Sequence, residues 1–272
     1  MKRYMLFNWV FVCSLVPQFI WAQQADNNFY QNLKADLSFF SSEYLSPTEY
    51  SNWKLTVFTG LTAILMLESD SEMHEEFGIE KEYKPLGIPR IIGNIGNFYD
   101  KPGTAYFTAG LLGSLYSSGY IFNDQKMTET AGLMARALII TGIFTTAAKV
   151  IIGRARPYVD DNPHKFRPLN FKFDADYMSM PSGHTSSIFS LMTILAQQYD
   201  SWYIKIPAYT FAVSVATQRM NNSKHWASDL LVGGTLGYLV GSAVTSRTTL
   251  FNKNISLQPY IKYSSFGLAV RF

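Results

Sequence analysis

Six apolar stretches, each long enough for several helical turns, follow one another between residues 55 and 245. Glycine and proline, which interrupt helices, separate several of them. The stretches are Leu55–Leu67, Thr104–Phe122, Ala131–Ile152, Thr185–Ala196, Ile206–Thr217 and Leu230–Thr245. We therefore predict an all-α protein, built as a bundle of about six helices.

The 272 residues suffice for one large domain and contain no internal repeat. We divide the chain into a signal peptide (1–22), a lead-in of short helices and loops (23–103), a catalytic helical bundle (104–246) and a C-terminal tail (247–272). Residues 23–53 show no clear period and are expected to be loosely ordered. Residues 68–101 are rich in charge and proline, which predicts a short amphipathic helix with loops.

The first residues have the pattern of an export signal. Lys2 and Arg3 precede an apolar run that ends at Ala22, and polar residues come next. An uncleaved membrane anchor is the alternative, because the same run could remain in a bilayer. Both place the chain from Gln23 onward outside the cytoplasm. The only cysteine, Cys13, lies within this segment, so a processed chain would contain no disulfide.

Three short signatures lie in order along the helical part. They are Lys149 with Arg156-Pro157, then Pro181-Ser182-Gly183-His184, then Arg219 with His225 and Asp229. The first falls where the third apolar stretch ends, the second opens the fourth, and the last joins the fifth to the sixth. In an up-and-down bundle these three places lie at one end. Together they supply three cations, two histidines and a carboxylate, a set suited to binding phosphate.

This signature resembles that of the type 2 phosphatidic acid phosphatase (PAP2) superfamily, which also contains bacterial class A acid phosphatases and vanadium haloperoxidases. The resemblance covers roughly Thr104 to Thr245 and implies a six-helix bundle with a single active site. One position departs from the family pattern: Gln218 precedes Arg219 where serine is usual. The larger amide still donates and accepts hydrogen bonds, and its size bears on the geometry of the phosphate pocket.

The two histidines are predicted to divide the chemistry. His225 and Asp229 are four apart, which on a helix places them on one face. The carboxylate can then accept a hydrogen bond from one ring nitrogen of His225 and leave the other as the nucleophile that attacks phosphorus. His184 is assigned as the general acid that protonates the leaving oxygen, and later as the base that activates water.

Phosphate binding is assigned to Lys149, Arg156 and Arg219, which can neutralise the phosphoryl oxygens directly. The Ser182 hydroxyl and the Gly183 amide, at the start of a helix, add donors where the helix dipole favours an anion. Because the chain shows no cluster of carboxylates, we predict that the reaction needs no metal and no cofactor. Arg154, within the first signature, is interpreted as a solvated side chain rather than a substrate contact.

These predictions describe an exported phosphatase that acts on phosphate monoesters or diphosphates of envelope lipids. The candidate substrates are lipid A phosphates, undecaprenyl diphosphate, phosphatidic acid and phosphatidylglycerophosphate. The alternatives are a non-specific acid phosphatase on soluble esters, a vanadate-dependent haloperoxidase, a phosphotransferase and a non-catalytic lipid binder. The net charge of only +3 argues against a nucleic-acid partner. No feature of the sequence indicates an obligate protein partner.

Attachment to the inner membrane, with the site facing the periplasm, is favoured over a soluble periplasmic bundle. If Gln23 is outside the cytoplasm, an even number of spans must precede Lys149, although three apolar stretches do so. Leu55–Leu67 is shorter than the roughly 20 residues that a span requires. We therefore expect this stretch not to cross, and to lie at the membrane interface or against the bundle.

The polar segment 154–180 contains three prolines and is expected to cover the site mouth and to carry substrate selectivity. Its aromatic residues suit contact with acyl chains or form a local core. These are Tyr158, Phe166, Phe171, Phe173 and Tyr177. Beyond the bundle, alternation in Asn254–Phe272 predicts a β-hairpin, packed on the bundle or on residues 23–53. The terminal phenylalanine keeps outer-membrane association as an alternative.

Overall fold

A computed structural model of the chain describes residues 29–46, 53–77, 88–100, 102–252, 256–262 and 265–271. The predicted signal peptide lies outside the described residues. The helices are α1 (Phe29–Phe40), α2 (Trp53–Leu67), α3 (Asp70–Phe77), α4 (Ile88–Asp100), α5 (Thr104–Ile121), α6 (Gln125–Ile152), α7 (Gly183–Gln198), α8 (Trp202–Asn221) and α9 (Ala227–Asn252). A π-helical turn (Ser41–Leu45) continues α1, and a 3-10 turn (Ala175–Tyr177) precedes α7.

The all-α fold class is confirmed. All six predicted apolar stretches are helices, α2 and α5 to α9, and several are longer than the apolar pattern that revealed them. Helices α6 to α9 pack around a core of buried aliphatic side chains, with Ile140, Ile188 and Val240 fully buried. Within 68–101 the structure contains two short helices, α3 and α4, where the sequence predicted one.

The expectation of a loosely ordered segment at 23–53 is wrong for α1 and the turn that continues it. Asp36 on α1 is completely buried and forms ion pairs with two arginines of the bundle. Arg136 Nε on α6 lies 2.6 Å from Asp36 Oδ2, and Arg247 Nε on α9 binds Asp36 Oδ1. Arg247 also donates to the Asn32 side chain at 3.0 Å. A buried ion pair thus anchors α1 to the bundle. Apolar packing contributes as well, because Phe40 belongs to the buried core and Leu33 and Leu37 pack against it.

Helices α7 and α9 approach each other closely through small residues. Gly233, Gly237 and Gly241 lie four apart on α9, and a Cβ atom on each would come within 2.2 to 2.8 Å of a serine carbonyl oxygen on α7 or directly before it. The serines are Ser182, Ser186 and Ser190. The close approach lets the Ser182 amide donate to the Asp229 carbonyl at 3.0 Å. It therefore fixes the start of α7 against the start of α9.

Replacing Gly237 by alanine is predicted to force these helices apart. Its Cβ would lie 2.2 Å from the Ser186 carbonyl oxygen, too close for any real contact. We expect Gly237→Ala to lower the free energy of unfolding by about 1 to 3 kcal/mol, as overpacking does. At the neighbouring Gly234 the nearest atoms are 3.5 Å away, on the flexible Phe189 ring, so Gly234→Ala is the matched control. Thermal unfolding that is equal for the two variants would contradict the close approach.

The C-terminal hairpin is present as strands β1 (Ser256–Lys262) and β2 (Ser265–Arg271). They pair antiparallel, with Leu257 opposite Val270 and Ile261 opposite Phe266. The ends of the predicted segment, including Phe272, lie outside the described residues. Packing of the hairpin on the bundle or on residues 23–53 stays a prediction.

Two segments of the described chain are long and apolar enough to cross a membrane, Gln125–Ile152 and Ala227–Arg247. Core helices of soluble proteins pass the same test, and two thirds of the second segment is buried inside the fold. Helix α2 has 15 residues and is too short by the same measure. It nevertheless exposes large apolar side chains, among them Phe58 and Leu65 at 66% and 76% exposure.

Candidate active site

The three signatures meet at one end of the bundle, with His225 near their centre. Lys149 lies in the last turn of α6, Arg219 in the last turn of α8, and His184 in the first turn of α7. Arg156 extends from the segment after α6. His225 itself is only 2% exposed. The sequence predicted that the order of the helices would bring these residues to one end of the bundle, and the structure places them there.

His225 is held from its Nδ1 side. Nδ1 lies 3.4 Å from Ser179 Oγ and 3.5 Å from Asp229 Oδ2. Ser179 Oγ donates its proton to Asp229 Oδ2 at 2.5 Å. Toward the imidazole, this hydroxyl can therefore act only as an acceptor. With its proton on Nδ1, His225 therefore donates toward Ser179 and Asp229 and leaves Nε2 with a free lone pair. Ser179 was not identified from the sequence, because an isolated serine carries no distinguishing pattern.

Asp229 is placed by hydrogen bonds rather than by a shared helix face. The expectation that His225 and Asp229 lie on one helix is wrong, because α9 begins at Ala227, after His225. Asp229 instead lies in the first turn, where Oδ2 accepts from the Trp226 amide at 2.9 Å. This contact follows the logic of a capping box, in which an acidic side chain in the first turn reaches back to the amide at the helix start.

Three cations surround His225. Burial, together with the charges of Arg156, Lys149 and Arg219, holds the pKa of His225 well below its usual value of 6.5. The imidazole is therefore neutral at physiological pH, as a nucleophile must be. The same three charges that disfavour an imidazolium favour the binding of an anion.

Each of the three cations is fixed by backbone carbonyl groups or a carboxylate. Lys149 Nζ donates to the Met178 carbonyl at 2.5 Å and to the Ser179 carbonyl at 3.2 Å, and Arg156 Nε donates to the Ala175 carbonyl at 2.9 Å. Arg219 Nη1 lies 3.2 Å from Asp100 Oδ2. Its Nε is buried and has no hydrogen-bond partner among the described residues. That orphaned donor fits an oxygen of a bound phosphate.

Ser182 and Gly183 stand at the N-terminal end of α7. The Ser182 side chain is fully buried and accepts a hydrogen bond from the Thr185 hydroxyl at 3.0 Å. The Ser182 backbone amide donates to the Asp229 carbonyl. Gly183 packs beside Lys149: a Cβ on it would lie 3.7 Å from Lys149 Cε. The Gly183 amide is thus the better placed of the two donors for an anion near Lys149.

Arg154 was interpreted from the sequence as solvated, and that interpretation is wrong. The side chain has no exposure. Its Nη1 donates to Asp229 Oδ1 and its Nη2 to Asp70 Oδ2, both at 2.8 Å, and its Nε donates to the Pro163 carbonyl at 2.9 Å. Left-handed Gly153 precedes it, where any Cβ would clash with the Arg167 carbonyl, and turns the chain inward after α6. The Arg154 guanidinium thus bridges two buried carboxylates instead of being hydrated.

Asp70 completes this buried network from outside the signatures. It lies at the start of α3, where Oδ1 accepts from the Ser228 amide at 2.9 Å and Oδ2 accepts from the Ser228 hydroxyl at 2.5 Å. It thereby caps the N-terminus of α9 with a carboxylate from another helix. Asp70 was missed because one aspartate in a charged segment is indistinguishable from a surface residue.

Removal of the Arg154 charge is predicted to destabilise the fold and the site together. Arg154→Met leaves Asp70 and Asp229 buried without their partner, which we expect to cost about 3 to 5 kcal/mol of unfolding free energy. Adding Asp70→Asn removes one of these uncompensated charges and is expected to restore part of the loss. Denaturant unfolding of the detergent-extracted variants measures both effects.

Arg167→Met is the matched control, since Arg167 is exposed in the same segment and only stacks on Tyr177, 3.7 Å from the ring centroid. Loss of that contact is expected to cost under about 1 kcal/mol. An Arg154→Met protein as stable as Arg167→Met would mean that the buried bridge does not hold the site.

Comparison with known proteins identifies the part of the chain that carries the site. Residues 130–253 match the model of the PAP2 superfamily, and they contain all three signatures. The match confirms, over this part of the chain, the resemblance to the PAP2 superfamily that its motifs predicted.

Two individual similarities refine the comparison. A lipid A 1-phosphatase from Porphyromonas gingivalis is 30% identical over 151 residues, which are 54% of this chain and 30% of that protein. The chain thus spans under a third of the length of this curated relative. The crystal structure of a transmembrane PAP2 type phosphatidylglycerolphosphate phosphatase from Bacillus subtilis aligns with a TM-score of 0.53 and 18% identity, over 74% of this chain and 97% of that chain. It supports the fold.

A further solved structure, that of Aquifex aeolicus LpxE, aligns with a TM-score of 0.42 and 21% identity. The alignment covers 62% of this chain and 99% of that chain. That TM-score is too low to establish a shared fold.

Proposed function

We propose that this protein is a metal-independent phosphatase of envelope lipids that works through a phosphohistidine on His225. The observation that carries the proposal is the setting of His225. The side chain is buried and neutral, its Nδ1 faces Ser179 and Asp229, and the charges of three cations act on the ring. A neutral nucleophile in an anion-binding pocket is what phosphoryl transfer through histidine requires.

The reaction would proceed in two displacements. His225 Nε2 attacks phosphorus, an N–P bond forms, and the bond from phosphorus to the lipid oxygen breaks as His184 gives that oxygen a proton. Water then attacks the phosphohistidine, His184 takes up a proton from it, and the N–P bond breaks to release phosphate. His225 becomes cationic in the first step, and Asp229 stabilises that charge through Nδ1.

Charge on the phosphoryl oxygens would be met by Lys149, Arg156 and Arg219. The buried Nε of Arg219 and the amide of Gly183 add donors that need no reorganisation, and each such donor is worth about 3 to 4 kcal/mol of barrier by analogy with oxyanion holes. Within the described residues, no group of three His, Cys, Asp or Glu side chains could hold a metal ion. Phosphate release in the presence of a chelator tests the independence of metal directly.

The substrate class rests on the surroundings of the site. Four of the five aromatic residues named in the covering segment are exposed, Phe171 to 70%, while Tyr177 is buried. Exposed aromatic rings at the site mouth favour contact with acyl chains over a local core for all but Tyr177. Similarity to a lipid A 1-phosphatase makes lipid A phosphate the first candidate among the envelope lipids.

Membrane attachment is supported by the distribution of exposed aromatic side chains. Besides those at the site mouth, a second group lies at the opposite end of the bundle, where α5 ends and α8 begins: Tyr120, Phe122, Trp202 and Tyr203. Helices α5 and α8 have 18 and 20 residues, which separate the two groups by about 27 to 30 Å. That distance matches the hydrocarbon thickness of a bilayer, and aromatic residues concentrate at its two interfaces.

The proposal predicts that His225→Ala abolishes phosphate release, by a factor on the order of 10⁶, because the variant lacks the imidazole that attacks phosphorus. Release should be measured in EDTA from lipid A, undecaprenyl diphosphate, phosphatidic acid and para-nitrophenyl phosphate. His164→Ala is the matched control, since His164 is an exposed histidine of the covering segment, 3.9 Å from Glu68. It is expected to retain wild-type activity.

The other outcomes separate the alternatives. Activity confined to para-nitrophenyl phosphate, in protein extracted without detergent, would indicate a soluble acid phosphatase. Peroxide-dependent halogenation with added vanadate would indicate a haloperoxidase, and transfer of phosphate to an added alcohol a phosphotransferase. Loss of activity in EDTA, or activity retained by His225→Ala, would contradict the mechanism.

The site is proposed to face the periplasm, with α2 lying at the membrane interface instead of crossing. An alkaline phosphatase fused after residue 101 is then expected to be active, because it would lie outside the cytoplasm. A matched fusion after residue 123, beyond α5, should report the opposite side if α5 crosses. A cytoplasmic location at the first fusion would contradict the topology.

A further inference from the structure

Asp100 reaches the active site from a helix that precedes the region matched to the PAP2 superfamily. Its two carboxylate oxygens contact two different site residues. Oδ1 lies 3.2 Å from His184 Nε2, and Oδ2 lies 3.2 Å from Arg219 Nη1. The proposed mechanism gives Asp100 no task, although it touches both the general acid and a phosphate-binding cation.

The position of Asp100 is built by the packing of α4 against α8. Two glycines of α4 face α8, and at Gly96 a Cβ would lie 2.4 Å from the Ser214 carbonyl oxygen. Only a glycine allows the helices to come this close. Asp100 ends α4, where the helix dipole disfavours a carboxylate, so its placement depends on the partners it finds there.

Gln218 is one of these partners, and this explains the departure from the family pattern. Its Nε2 donates to Asp100 Oδ2 at 3.0 Å and to Asn97 Oδ1 at 3.3 Å. The shorter serine that is usual at this position would not span the same distance. The Gln218 side chain therefore holds the C-terminal end of α4 next to the site through these hydrogen bonds.

We propose that Asp100 is a positioning residue for His184, which holds the proton-donating imidazole in place and stabilises its protonated form. The inference rests on the proposed function, since it assumes that His184 acts as the general acid. A carboxylate that accepts from one ring nitrogen fixes the ring orientation and favours the imidazolium.

The charges around His184 explain why such a partner is needed. Burial and the charge of Arg219 lower the pKa of His184 to about 4, while the hydrogen bond to Asp100 opposes that lowering. In return, His184 and Arg219 lower the pKa of Asp100, which stays ionised. The titratable groups that face His184 are Asp100 and Tyr99 of α4, Arg219 of α8, Arg156 of the covering segment, His225, and Lys149 beside Gly183.

The pH dependence of turnover has a definite sign. His184 must be protonated to act as an acid, and its protonated fraction falls as pH rises through its pKa. Asp100→Asn removes the group that raises this pKa, so the alkaline limb of kcat is expected to move to lower pH. A shift of about one pH unit corresponds to about a tenfold loss of kcat on the alkaline side.

Two substrates with different leaving groups test the role. Octyl phosphate has a poor leaving group that needs a proton, whereas para-nitrophenolate leaves without one. We expect Asp100→Asn to lower kcat about tenfold on octyl phosphate and less than about threefold on para-nitrophenyl phosphate. Asp100→Glu, which keeps the carboxylate, should recover part of the loss. An equal loss on both substrates would mean a purely structural role and overturn the proposal.

A second readout does not depend on turnover. The chain has four histidines, so the ring signals of His184 can be assigned by NMR and titrated in wild type and Asp100→Asn. A lower pKa for His184 in the variant is expected, and an unchanged pKa would overturn the proposal. If the wild type releases no phosphate, the proposed function fails, while the titration still decides whether Asp100 acts on His184. Tighter inhibition by inorganic phosphate with an unmoved alkaline limb would overturn it too, and would make Asp100 a competitor for the anion pocket instead.

Discussion

The site depends on a guanidinium that has no access to solvent. Arg154 joins Asp70, which caps α9, to Asp229, which faces His225. Burying one cation and two carboxylates is costly unless every charge is paired and hydrogen-bonded, and here each is. The network is therefore intolerant of small movements. This network positions Asp229 and Ser179, and these two residues orient His225. The orientation of His225 therefore depends on contacts between segments that are far apart in sequence.

The electrostatic design around the two histidines results from the same burial. Lys149, Arg156 and Arg219 are held by carbonyl groups and by Asp100, so an unfilled pocket keeps a cationic excess at His225. Such an excess keeps both imidazoles neutral and favours an anion that balances it. A bound phosphate would supply that balance and would make it easier for His184 to carry a proton. Substrate charge and acid strength are coupled in this arrangement.

The sequence allowed prediction of the six helices and the residues of the three signatures, because apolar periodicity and motif spacing are local properties. It could not reveal Asp70, Asp100 or Ser179, which acquire meaning only when tertiary packing brings them to the histidines. The buried ion pairs of Asp36 could not be predicted for the same reason, since its partners Arg136 and Arg247 lie on two other helices. The sequence also did not show that His225 lies before α9 rather than on it. The first residue of a helix is difficult to predict, because helix ends are poorly defined to within one or two residues.

The central claim is that phosphate passes through a covalent bond to His225, and a trapped intermediate tests it most directly. Detergent-extracted protein would be mixed with substrate labelled in the phosphate, quenched rapidly in base, where phosphohistidine survives, and digested for mass spectrometry. A covalent intermediate on His225 predicts label on the peptide that contains His225 in the wild type and none in His225→Ala. Labelled phosphate released without any labelled protein, or label on His184 instead, would contradict it.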